Sequence, residues 1–215
     1  MARDTAAAVK KIAKANPVAD LLELRLDAME SFRLPDMIQE ASKPVIVTYR
    51  SKKEGGHGFT DDETRAHHLL NAIDNKADYV DLEYNMAPDL RDQILQNRRE
   101  SKIIASVHVL DSTPSREELD RILYGLAGTG ADIVKIVTRA QQPEDNLRVL
   151  NLIPRATEMG LKIIALCMGE EGRISRVASL LFGGYLTFAS LDQGDESADG
   201  QIPVKKMREI LAAFA

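Results

Sequence analysis

Seven short apolar runs rich in Val, Ile and Leu recur along this chain, and no other feature limits its fold as tightly. They are Asp20–Leu26, Pro44–Arg50, Asp78–Tyr84, Lys102–Val109, Ala131–Thr138, Leu161–Met168 and Tyr185–Ser190. Each has the length of a strand and opens almost continuously apolar, as strands covered on both faces of a parallel sheet do. Stretches of helical periodicity separate them. Asp61–Asn75 carries Ala66, Leu69, Leu70 and Ile73 on one stripe, and Pro114–Ala127 carries Leu119, Ile122, Leu123 and Leu126. Leu147–Met159 and Ile174–Leu181 follow the same pattern. Thr113-Pro114 reads as an N-cap followed by proline at the first helical position. The runs start 24 to 34 residues apart, one strand–helix unit each. Strict alternation of this kind means a parallel sheet, and the number of units favours a (β/α)8 TIM-type barrel over an open doubly wound sheet. No Pro/Ser-rich linker breaks the pattern, so residues 1–215 are expected to form a single (β/α) barrel domain.

The count is one strand short. Thr5–Ala15 reads as a helix before the first strand, giving seven strands and eight helices, and Met1–Asp4 is too short and too polar to supply the missing first strand. An empty slot between Asp20–Leu26 and Tyr185–Ser190 would leave backbone N–H and C=O groups without partners. The expectation is that the two edges close together, or that the gap is filled by a neighbouring subunit, as in a homodimer, or by a segment outside this sequence.

Composition narrows the function classes. The 215 residues include 28 basic and 33 acidic ones, a net charge of −5, with 44% hydrophobic residues. That is the balance of a folded domain rather than a disordered chain. The charge and the lack of any Lys/Arg block argue against nucleic acid, while leaving room for a small anionic substrate bound by a few arginines. No apolar run reaches the roughly 20 residues of a membrane span. Met1–Lys11 has no apolar signal-peptide core, and one cysteine, Cys167, excludes an internal disulfide framework and an all-cysteine zinc site. A cytoplasmic location is expected.

Barrel enzymes gather their chemistry at the C-terminal ends of the strands. The first run ends with Glu23, Arg25 and Asp27 at alternate positions, which places all three on one face of a strand. The second ends at Arg50, the third carries Asp81 and Glu83, the fourth ends at His108, and the sixth at Cys167-Met168. Any one charge at a strand end is ordinarily solvated or paired. Lys135 is different, because it lies inside the apolar run Asp132–Val137. A lysine taken out of water favours its neutral amine, which is a nucleophile. The alternative is a structural lysine neutralised by Glu23 or Asp81. His108, one strand earlier, is either a general acid and base for the same substrate or a core histidine bonded to a backbone carbonyl. Lysine, histidine and arginines together suggest Schiff-base chemistry on an anionic carbonyl compound.

In this ordered set the chain resembles the type I 3-dehydroquinate dehydratases. The similarity runs from about Ala19 to the C-terminus. Glu23-Leu24-Arg25-Leu26-Asp27 resembles the family's E-x-R-x-D, and Tyr49-Arg50 through Glu54-Gly55-Gly56 its F-R-x-x-x-E-G-G. Asp81-Leu82-Glu83 resembles D-x-E; Ser106-Val107-His108 with Thr113-Pro114 resembles S-x-H-x-x-x-x-T-P; and Ala131–Ile136 resembles A-D-x-x-K-I. Met168-Gly169, Gly172 and Ser175-Arg176 resemble M-G-x-x-G-x-x-S-R, and Ser197–Ile202 resembles S-A-P-G-Q-I. The resemblance implies a barrel that dehydrates 3-dehydroquinate to 3-dehydroshikimate without metal or dissociable cofactor. It implies an imine on Lys135, proton transfers by His108, and Glu54, with Asp81, orienting His108. Arg176 would take the substrate carboxylate, and Glu23, Arg25, Arg50, Ser197 and Gln201 the ring and its hydroxyls, with Met168 in support.

The chain departs from the family where a strand-one serine would stand, and it has Asp199 in place of the proline of S-A-P-G-Q. Asp192, Asp195, Glu196 and Asp199 make the preceding loop acidic, which is expected to weaken attraction of an anionic substrate. Leu191–Gly200 is expected to act as a lid. Two other readings are a different class I (Schiff-base) aldolase-like barrel enzyme and an inactive barrel serving as a binding or scaffold domain.

Overall fold

The structure, a computed structural model, describes residues 1–57 and 60–214. Contacts divide the chain into two compact units, Met1–Ile104 and Ala105–Ala215. In the first unit come α1 (Thr5–Ala15), β1 (Leu22–Arg25), α2 (Leu34–Glu40), β2 (Val45–Thr48), α3 (Asp62–Asp74), β3 (Tyr79–Glu83) and α4 (Pro88–Gln96), with 3-10 turns at Leu26–Ala28 and Lys52–Glu54. Strand β4 (Lys102–His108) runs across the division. The second unit holds α5 (Arg116–Ala127), β5 (Ile133–Arg139), α6 (Asp145–Leu150), α7 (Leu152–Glu158), β6 (Lys162–Met168), α8 (Arg173–Leu181) and α9 (Val204–Ala212). The sheet order is β1-β2-β3-β4-β5-β6. Strand and helix alternate as expected of a TIM-like α/β fold with parallel strands.

Register is set by the apolar residues that each strand buries. Leu22 to Arg25 pair with Val45 to Thr48, and Ile46 to Thr48 pair with Tyr79 to Asp81, all in parallel. In the second unit Ile133 to Arg139 pair with Lys162 to Met168. The helices cover these strands with their apolar stripes. Leu69 and Ile73 of α3 and Leu119, Leu123 and Leu126 of α5 are buried, each worth about 1.5–3 kcal/mol of transfer free energy.

Three expectations need correction. Tyr185–Ser190 is not a strand: Tyr185 N–H bonds to Ile163 O at 2.7 Å, and Ser190 makes one isolated bridge to Pro203. Pairing at its two ends only leaves six strands among the described residues, not seven. The helix expected at Leu147–Met159 begins earlier and is broken into α6 and α7. Pro154 has no N–H and its ring crowds the carbonyl of Leu150, four residues before it, so the helix turns at Asn151. Counting this interrupted helix once, eight helices are present among the described residues. The cap of α5 is Ser115, whose side chain accepts from Glu118 N–H while Glu118 accepts from Ser115 N–H, a capping box. Thr113 is drawn instead to Thr138, 2.8 Å between hydroxyls, and to Arg139 O, also 2.8 Å. Before β1 the only element among the described residues is α1, capped by Asp4.

Candidate active site

In the second unit, β5 places Lys135 where its backbone is fully laddered to β6, opposite Ile164. The strand period of two puts Lys135, Val137 and Arg139 on one face and Ile136 and Thr138 on the other. Lys135 is 4% exposed, and its Nζ sits 4.3 Å from the centroid of the Phe188 ring. An ammonium over an aromatic face is held by the ring quadrupole. His108 ends β4 and is partly exposed. Val109 N–H donates to Val137 O at 2.8 Å, which ties this strand end to β5. Met168, 7% exposed, ends β6 opposite Arg139. The turn after it closes tightly: a Cβ on Gly172 would stand 2.4 Å from Met168 O, so only glycine allows α8 to start there.

That turn delivers Arg176, on α8, into a buried position. Its Nη2 donates to Asp199 O at 2.9 Å and its Nη1 to Phe188 O at 3.5 Å. Nε is buried with no partner, and among the described residues no carboxylate pairs with this guanidinium. Burial is the main reason its pKa is pushed down to about 10; the nearby Asp199 charge compensates only in part. A buried cation without an anion is costly, and the ligand that removes the cost is an anion. Ser197 and Gln201 hold each other: Ser197 N–H donates to Gln201 Oε1 at 2.8 Å and Gln201 Nε2 to Ser197 Oγ at 3.1 Å. Cys167 faces away from Lys135, against Thr138 and Ser175.

The first unit gathers charges at the ends of β1 to β3. Arg50, 4% exposed, lies against Asp81 at 2.8 Å, Glu83 at 3.1 Å and Glu54 at 3.8 Å. Burial works against its charge, but these carboxylates outweigh that and hold its pKa above the ordinary arginine value. Glu83 also accepts Ser51 N–H at 2.7 Å and Arg65 Nη2 at 2.5 Å. Thr48 Oγ1 donates to Glu23 at 2.8 Å. Glu23 and Arg25 share a face of β1, whereas Asp27 lies in the 3-10 turn that follows, not on the strand. From there it grips Arg25 through two bonds of 2.8 and 2.9 Å. The chain after Arg50 folds back so tightly that a Cβ on Gly56 would stand 2.0 Å from Arg50 O. This gives a physical reason for Gly56, and the left-handed φ of 87° at Gly55 one for its neighbour.

Three residues of these clusters escaped the sequence reading. Phe188 offers its ring to Lys135 and its carbonyl to Arg176; it lay hidden in a run read as a strand. Asn85 donates to Glu54 Oε1 at 3.0 Å. Arg139 reaches Asp199 Oδ2 at 2.7 Å. In the acidic loop the Asp199 carboxylate is taken up by Arg139, and Arg176 meets the Asp199 carbonyl. Among the described residues no group of three His, Cys, Asp or Glu could hold a metal ion, and no helix is long and apolar enough to cross a membrane.

Comparison with known proteins agrees on one family. The family model described as type I 3-dehydroquinase matches residues 1–215. A 3-dehydroquinate dehydratase of Methanococcus maripaludis is 37% identical over 213 residues, 97% of this chain and 94% of that protein. One from Desulfotalea psychrophila is 35% identical over 200 residues, 91% of this chain and 88% of that protein. The crystal structure of a type I 3-dehydroquinate dehydratase from Clostridium difficile with covalent modified comenic acid superimposes with a TM-score of 0.90. It is 25% identical, and the match covers 99% of this chain and 89% of that one.

Proposed function

Because the chain belongs to the type I 3-dehydroquinase family, and so to the hydro-lyases that dehydrate 3-dehydroquinate, we propose that it makes 3-dehydroshikimate through a Schiff base on Lys135. The observation that carries this reading is a lysine 4% exposed within an apolar strand, capped by an aromatic ring. The Lys135 amine adds to the substrate ketone and water leaves, giving a protonated imine. That imine draws electrons from the adjacent carbon, so His108 can remove its proton and leave an enamine. The enamine then expels the β-hydroxyl, which takes a proton from His108 and departs as water. Hydrolysis of the new imine frees the enone and restores the amine. General acid–base help of this kind is worth about 10²–10⁴-fold.

Arg176 is assigned to the substrate carboxylate, since its planar fork suits two parallel bonds and it holds no carboxylate among the described residues. Ser197 and Gln201, with Glu23, Arg25 and Arg50, are assigned to the hydroxyls and ring, Glu54 to orienting His108 with support from Asp81, and Met168 to packing around the substrate. We keep residues 1–215 as one barrel domain, a reading supported by coverage of 99% of this chain in the Clostridium difficile match. A cytoplasmic location and a small anionic substrate, without nucleic acid, belong to the same reading.

The test is borohydride reduction in the presence of 3-dehydroquinate, with peptide mass spectrometry and absorbance of the enone. A reduced adduct on Lys135 together with enone formation is expected. Lys135→Ala should lose both while keeping its circular dichroism spectrum. His108→Ala should accumulate a covalent species, because the amine survives. Adduct without enone would favour an aldolase-like reaction; neither would favour a binding domain.

A further inference from the structure

Asp199 stands where the resembling motif has proline, and its side chain makes one contact that proline could not. Its carboxylate receives Arg139 Nη2 at 2.7 Å, and Arg139 Nε is fixed on Leu110 O at 2.8 Å. Its carbonyl receives Arg176 Nη2 at 2.9 Å and Gly169 N–H at 3.3 Å. Next to it, Gly200 packs so closely on the end of β6 that a Cβ there would stand 2.4 Å from Gly169 O. Asp199 and Gly200 therefore tie segment 191–201 to the mouth of this unit. The base of the loop is closed separately, by Ser190 N–H to Ile202 O at 3.1 Å and Val204 N–H to Ser190 O at 2.8 Å.

We propose that Arg139 is a positioning residue for the Arg176 anion subsite, acting through an ionic latch to Asp199 that docks segment 191–201 and aims the Arg176 guanidinium. The proposal rests on the assignment of Arg176 to the substrate carboxylate. One residue supplies both halves of the device: the Asp199 side chain is anchored on the Lys135 strand, and its main chain holds the arginine. The latch also neutralises Asp199, so that its negative charge does not oppose an incoming carboxylate. Arg139 and Asp199 are 37% and 67% exposed at their side chains, so the latch is wet and screened by salt. An exposed pair of this kind shifts an equilibrium by about two- to fivefold.

The experiment uses the full chain with Arg139→Gln, Asp199→Asn, the double variant, the charge swap Arg139→Asp/Asp199→Arg, and Lys206→Gln as an exposed control. Steady-state kinetics with 3-dehydroquinate are run from low to high salt, and hydrogen exchange of segment 191–201 is measured without substrate. Each single variant should raise KM about two- to fivefold, with the smaller share of the loss in kcat, and should speed exchange of the segment by a similar factor. The double variant should match a single one, the swap should recover part of the loss, and the salt dependence of KM should flatten in the single and double variants but not in the swap or the control. Additive losses, no change in exchange, or a loss confined to kcat would overturn the latch. Exchange needs no substrate, so a protein inactive on 3-dehydroquinate would sink the functional reading without silencing this test.

Discussion

Glu83→Gln removes one negative charge from the centre of the buried cluster in the first unit. Glu83 now serves two arginines, Arg50 at 3.1 Å through Oε1 and Arg65 at 2.5 Å through Oε2, with Ser51 N–H at 2.7 Å on Oε1. All three side chains are 3–4% exposed, so water cannot replace a lost partner. A glutamine has one oxygen, and its amide would point donor to donor at one guanidinium. Removing one member of a buried pair costs about 3–5 kcal/mol. The low end applies, because Arg50 keeps Asp81 at 2.8 Å and Arg65 keeps Asp62 at 2.7 Å. About 3 kcal/mol is a large part of the roughly 5–15 kcal/mol that holds a domain folded. For a chain of this size it lowers Tm by about 6–12 °C. Urea unfolding followed by circular dichroism should show a lower midpoint at unchanged slope. Glu63→Gln, on the exposed face of α3, should stay within about 0.5 kcal/mol of the parent. A Glu83→Gln cost no larger than that of the Glu63 control would refute the claim that these charges are desolvated and mutually dependent.

Two further outcomes follow from perturbed groups. Burial alone would raise the Asp27 carboxyl pKa, but the Arg25 bond and charge and the N–H groups of Arg50 and His57 outweigh it and hold it below its usual 3.8. The unfolded chain therefore takes up this proton first, so the stabilisation is complete above the unfolded value and is lost as pH falls through the folded one. Stability should drop more steeply between about pH 5 and pH 3 in the parent than in Asp27→Asn, and equal slopes would remove Asp27 from the acid limb. Cys167 is fully buried, and burial pushes its thiol pKa up against the hydrogen bonds from Thr138, Thr113 and Ser175. It should resist a disulfide reagent in the native protein and react, one thiol per chain, only in denaturant; rapid native labelling would contradict the packing of β6.

The alternation of strands and helices was legible because burial on both faces writes itself into local composition, as in Ile133–Val137 and Lys162–Met168. Lys135 stood out for the same reason, as a charge where the pattern demands an apolar residue. What failed depended on pairing at a distance. Tyr185–Ser190 has the composition of a strand, yet it pairs only at its ends, and composition says nothing about which backbone groups find partners. The break at Asn151 was readable in principle from Pro154, but helical periodicity continues through it and masks the interruption. Thr113 looked like a cap because its partners, Thr138 and Arg139, lie a whole strand–helix unit further along the chain.

The arginines make the same point about the site. In residue type Arg25, Arg50 and Arg176 are the same, and only the family resemblance separates their roles in the sequence. In the structure they are not equivalent. Arg25 is closed by Asp27, two residues away, and Arg50 is surrounded by carboxylates from β3 and from the turn that follows β2. Among the described residues Arg176 meets only carbonyl oxygens. A guanidinium already matched by carboxylates can lend a substrate hydroxyl a hydrogen bond, but it has little uncompensated charge to offer. A buried guanidinium matched only by carbonyls retains its charge and gains most from an anion. The proposed assignment of the substrate carboxylate to Arg176 is consistent with which positive charges the fold has already neutralised. Arg139 follows the same rule: the Asp199 carboxylate pairs with it, while Arg176 has no carboxylate partner among the described residues.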